Sequence, residues 1–92
     1  MLRLGIIAAV LFAVSTATAG PLQHSLWMSR HGRLQHASNL RGSEVIAKVG
    51  RGFGQRARAM AMWRRSPPHA RVLKARGLLR VRCWKGFCTG RK

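Results

Sequence analysis

Two side chains in this sequence can form a covalent bond with each other: Cys83 and Cys88, the only cysteines, with four residues between them. In an oxidising compartment such a pair closes a small disulfide ring. Trp84, Lys85, Gly86 and Phe87 lie inside it. Just beyond stand Thr89 and Gly90-Arg91-Lys92, a glycine followed by a basic pair, which reads as a processing signal that leaves an α-amidated Thr89. Amidation would replace a carboxylate by a neutral donor and so remove negative charge next to the ring.

General acid–base catalysis needs positioned titratable groups in a water-excluding pocket. The chain carries a single acid, Glu44, and both cysteines are committed to the ring, so no enzyme and no cofactor is expected. His24, His31 and His36 have spacings that match no standard zinc pattern. Asn39 is followed by Leu40-Arg41 and is no glycosylation acceptor.

The chain that must position the ring has 92 residues and a net charge of +17, with 18 Lys and Arg against the one acid. Like charge without relief repels itself in a compact state. The 47% of hydrophobic residues is concentrated towards the N-terminus, leaving little apolar surface elsewhere to offset ordering entropy. These balances predict a mostly disordered small secreted precursor with no packed domain: an N-terminal signal helix, short amphipathic helices at most, and a C-terminal disulfide-closed turn. They also predict acidic partners, either a receptor pocket or an anionic membrane. No specific nucleic acid is expected, because of the export signal.

That signal is residues 1–19. Arg3 gives a positive start, Leu4 to Val14 is apolar apart from Gly5, and Ala17 and Ala19 form the small-x-small site before Gly20-Pro21. The apolar run is too short to span a bilayer, which takes about twenty residues. Cleavage after Ala19 and secretion to the extracellular space follow.

Residues 20–65 read as a basic propeptide or spacer. Ser43 to Val49 is the best short helix, with Ser43 as cap, Glu44 in the first turn and Gly50 as stop. Phe53 to Arg65 gives an irregular basic amphipathic helix with Phe53, Ala57, Met60, Ala61 and Trp63 on one face. Ser66-Pro67-Pro68 predicts an extended, accessible start to the next segment. Leu79 to Cys83 alternates apolar and basic residues like a strand, and Lys85-Gly86 supply the turn of a minimal hairpin.

An export signal, a polar spacer, Arg64-Arg65, a cysteine-containing segment and terminal Gly90-Arg91-Lys92 together resemble a secreted prohormone or neuropeptide precursor. The resemblance implies processing proteases cutting after Arg64-Arg65, with a further cut after Arg76. It also implies an amidating enzyme acting at Gly90, and a candidate mature peptide over residues 66–89. Trp84-Lys85-Gly86-Phe87 is similar to the Trp-Lys-x-Phe core of somatostatin-type peptides and to the ring of urotensin-II-type peptides. It departs from them in having Cys83 where an aromatic precedes Trp. That likeness implies a G-protein-coupled receptor as partner, with Trp84, Lys85 and Phe87 as recognition residues and Arg80 and Arg82 as an electrostatic address. The alternative from the same residues is a cationic host-defence peptide acting on anionic membranes, cations recruiting lipid while Trp and Leu enter the interface.

Overall fold

The structure is a computed structural model, and it describes residues 20–38 and 43–92. The expected signal segment, including its cleavage site at Ala19, lies outside these residues.

Helix α1 (Pro21–His31) is followed by strand β1 (Glu44–Lys48), helix α2 (Gln55–Arg65), helix α3 (Pro67–Lys74), and strands β2 (Arg80–Trp84) and β3 (Phe87–Arg91). The strands form an antiparallel sheet in the order β1-β3-β2, which puts the C-terminal strand in the middle. Ile46, Thr89 and Arg82 stand level across it. Because side chains alternate along a strand, this register sends Val45, Ala47, Cys88, Gly90 and Val81 to one face and Ile46, Thr89 and Phe87 to the other. Helices α2 and α3 cover the first face and α1 covers the second.

The expectation of a mostly disordered chain without a packed domain is therefore overturned. A radius of gyration of 10.9 Å is what a compact chain of about 70 residues has. The core is built on small side chains: Val45, Ala47, Ala59, Val81 and Cys88 surround the buried indole of Trp63, with Val72, Leu73 and Leu79 at its margin. Met28, Ile46 and Phe87 form a second cluster under α1. Gly90 permits the close fit. A Cβ there would lie 2.9 Å from Val45 Cγ2, 3.2 Å from Leu79 Cδ1 and 3.4 Å from Trp63 Cη2.

Two local expectations are corrected. Within residues 43–49 the chain forms strand β1 (Glu44–Lys48) and no helix. Val45 and Ile46 are β-branched, and β-branched side chains favour strands; since both faces of the sheet are covered, the strand shows an unbroken apolar run and no alternation. Pro67 and Pro68 open α3 where an extended segment is expected, for proline in the first helical turn gives up a donor that has no partner there anyway.

The hairpin is as expected. Cys83 and Cys88 are disulfide-bonded, and they face each other across β2 and β3. Lys85 (φ 46°) and Gly86 (φ 87°) make the two-residue turn, both left-handed as a type I′ turn requires. Replacing both cysteines with serine is expected to lower unfolding free energy by about 2–3 kcal/mol for so short a loop, read as a shift of the urea midpoint with the far-ultraviolet spectrum retained.

Candidate interaction tip and the buried carboxylate

At the hairpin end of the sheet, the turn leans on the loop that follows β1. A Cβ at Gly86 would lie 2.7 Å from the carbonyl carbon of Gly50, so the two glycine backbones touch. The amide of Val49 donates to Gly86 O (2.7 Å), and the amide of Gly86 donates to Gln55 Oε1 (2.7 Å). Gln55 Nε2 donates in turn to Gly52 O (3.2 Å). From one turn into α2, Arg58 reaches back: its guanidinium donates to the carbonyls of Val49 (2.5 Å), Gly50 (3.3 Å) and Arg51 (3.3 Å). Gly50, Gly52 and Gly54 all have positive φ, a conformation open to glycine at no steric cost. The loop is thus cross-braced to the turn.

What this scaffold holds up is aromatic and cationic. Phe53 stands wholly in solvent, at 101% relative exposure, and Trp84 is 42% exposed. Lys85 Nζ lies 6.0 Å from the centre of the Trp84 ring. Lys48 at the end of β1, Arg51 in the following loop and Arg56 at the start of α2 are exposed as well. Trp84 and Lys85 thus point outward. Phe87 does not: it is buried against Met28 and Ile46, with Lys48 Nζ 5.5 Å above its ring. Arg80 and Arg82 project from the open edge strand β2, where the Arg82 guanidinium donates to Val81 O (3.1 Å). Charged side chains on an edge strand discourage pairing with another chain.

The residues assigned to processing are divided. Arg64 and Arg65 are exposed in the last turn of α2, and Arg76 is exposed in the loop before β2. Gly90 is a buried packing glycine of the central strand. Thr89 is fully buried, and its hydroxyl lies 2.8 Å from Ser25 Oγ. Ser25 donates its own proton to Arg82 O (2.9 Å), so Thr89 is the donor in that pair. Lys92 Nζ donates to the carbonyls of Leu73 (2.8 Å) and Ala75, closing the end of α3.

Arg91 belongs to a second arrangement, centred on Glu44. The Glu44 side chain has no solvent exposure, and Arg91 Nε donates to its Oε2 at 2.8 Å. Oε1 accepts from His36 Nδ1 (2.9 Å) and from the amide of Ala37 (3.0 Å). Burial pushes the carboxyl upward, but the Arg91, Ala37 and His36 hydrogen bonds outweigh it and hold its pKa below the ordinary value. Fully buried His24 completes the group. Its Nε2–H donates to Gln35 O (2.7 Å), Nε2 lies 3.9 Å from Glu44 Oε1, and its ring stacks on Trp27 at 5.8 Å. Burial pulls the His24 pKa below 6.5, against the Gln35 carbonyl and Glu44, so the imidazole is held neutral. With the sole acid consumed inside, no carboxylate side chain remains on the surface, and the basic residues face outward without one.

Sequence reasoning missed Phe53, which it placed on a helix face, and the bracing pair Gln55 and Arg58. The alternate glycines 50, 52 and 54 carried that signal. Among the described residues, no group of three or more His, Cys, Asp or Glu is placed to hold a metal ion, and no helix is long and apolar enough to cross a membrane. No protein-family model, curated protein or solved structure matches the chain.

Proposed function

We propose that this is a secreted, folded cationic module that docks on anionic phospholipid membranes through the tip formed by Phe53, Trp84 and Lys85. The observation that carries the reading is Phe53. An aromatic ring left entirely in water buries no surface in the fold, and the loop that carries it is cross-braced by Arg58 and Gln55. Amphipathic aromatics with flanking cations suit the boundary between headgroups and acyl chains. The Cys83–Cys88 disulfide is consistent with an extracellular location.

The folded chain, and no excised fragment, is the acting species in this reading. Release of residues 66–89 would separate β2 and β3 from β1, and removal of Gly90-Arg91-Lys92 would leave Glu44 buried without Arg91.

Burying a phenyl ring is worth about 1.5–3 kcal/mol, so Phe53→Ala is expected to weaken partitioning into phosphatidylglycerol-containing vesicles about tenfold to a hundredfold. Its melting temperature should remain that of the parent. Vesicles of phosphatidylcholine alone should bind weakly. Equal partitioning of parent and variant defeats the proposal, as does tighter binding to a single-stranded oligonucleotide than to the vesicles.

A second reading, a ligand for a receptor with an acidic pocket, is favoured by one feature: the type I′ turn holds Trp84 and Lys85 outward together. The two part on chirality. An all-D protein keeps a membrane activity and loses a receptor activity, whereas Lys85→Ala abolishes a receptor activity and only weakens membrane docking.

A further inference from the structure

We infer that the groove between α2 and α3 is a binding site for a free, single-chain anionic amphiphile, a long-chain carboxylate. The groove has a volume of about 460 Å³ and is lined by Met60, Arg64, Ala70, Leu73 and Lys74, within the range of about 300–1,000 Å³ usual for small-molecule sites. Its walls come from consecutive turns of two helices that pack directly on each other. Met60, Ala70 and Leu73 give an apolar floor; Met60 and Leu73 also abut the core, so the floor is fixed from beneath. Arg64 and Lys74 are exposed on it, and neither side chain hydrogen-bonds or ion-pairs with a described residue.

The charge of the occupant follows from what the protein withholds. Glu44 is the sequence's only acid, and it is spent on Arg91, His36 and Ala37 on the face of the sheet covered by α1, away from the groove. Two cations beside an apolar trough, with no carboxylate side chain to meet them, favour an anion that carries a hydrocarbon tail. Arg64 supplies a planar fork that suits a carboxylate and Lys74 a point charge. A neutral lipid leaves both cations idle, and a cationic one is repelled.

Position decides between a free amphiphile and a lipid still in a bilayer. Gln55, at the start of α2, touches the hairpin turn. Arg64 lies nine residues further on, about 13 Å along the helix at about 1.5 Å per residue. The cationic end of the groove is therefore set back along α2 from the hairpin turn, which favours a free monomer as its occupant.

Titration of the full folded protein with dodecanoate below its critical micelle concentration tests the assignment, with dodecyltrimethylammonium as the control of opposite charge. Saturable one-to-one binding of dodecanoate is expected, with binding of the cationic control absent. Affinity should fall about tenfold or more in Arg64→Gln/Lys74→Gln, and in Ala70→Leu, which fills the trough. Both substituted cations are exposed, so an unchanged melting temperature shows that the fold is intact; the single variant Arg64→Gln gives the same reading at smaller amplitude should the pair fail to fold. Absence of saturable binding overturns the inference, as do equal affinity for the cationic control and undiminished binding by folded variants. Vesicle partitioning of the groove variants should equal that of the parent; if instead they lose vesicle binding and the parent takes up no monomer, the groove is bilayer contact surface and no ligand site.

Discussion

Replacing Glu44 with alanine is expected to leave the protein largely unfolded at neutral pH. Three groups converge on this carboxylate: the Arg91 guanidinium, the His36 imidazole and the Ala37 amide. Together they tie β1 to β3 and to the segment after α1. Removing one partner of a buried ion pair costs about 3–5 kcal/mol, because the remaining charge stays desolvated without compensation. Domains have only about 0.05–0.15 kcal/mol of stability per residue, so the loss is comparable with the whole stability of a chain this size. Thermal unfolding monitored by circular dichroism reads it directly; a Glu44→Ala protein within a few degrees of the parent would show that the cluster contributes little.

The same cluster fixes the direction of the pH dependence. His24 has a folded pKa below its unfolded value of 6.5, so the unfolded chain takes up the proton first, and stability falls as pH drops below about that point. Glu44 is likewise lowered from 4.5, so its contribution is present above that value and is lost as pH falls further. Both act in one direction, and the melting temperature should decline in two stages from pH 7.5 towards pH 3, the upper stage vanishing in His24→Gln.

Trp63→Ala is the other substitution with a large expected effect. The indole is almost wholly buried amid Val45, Ala47, Ala59, Val81 and Cys88, and its Nε1–H donates to Ile46 O at 3.0 Å. Large-to-small substitution at such a site costs about 3–5 kcal/mol. Trp63→Phe separates the two contributions, since it keeps a ring in the cavity but leaves the Ile46 carbonyl unpaired, at about 1–3 kcal/mol. If Trp63→Phe proves as damaging as Trp63→Ala, the hydrogen bond outweighs the packing.

The hairpin was readable because its information is local. Alternation over residues 79–83, two turn residues and a cysteine pair specify it without reference to the rest of the chain. The core was not readable, because its packing depends on small and polar residues: Ala47, Ala59, Ser25, Thr89, His24 and Gly90 are buried by their neighbours, whereas an inventory of large apolar side chains passes over them. Gly90 shows the difficulty most plainly. Next to Arg91-Lys92 it reads as a signal for processing, while in the fold it is the gap into which Val45, Leu79 and Trp63 fit. At the tip, Lys85 and Trp84 were legible from the turn, but Phe53 was not, since its exposure depends on Arg58 and Gln55 reaching across from α2. The charge argument also misled. Repulsion among exposed cations is screened over about 8 Å in physiological salt, and the one acid is placed where a single charge has most leverage.

Enclosing that acid has an outcome for the exterior as a whole. The protein resembles one half of an ionic lattice: wherever it meets solvent it presents no carboxylate side chain. Single Arg→Glu changes on the outer faces of the helices should therefore relieve the fold, the reverse of their effect on an ordinary mixed-charge surface.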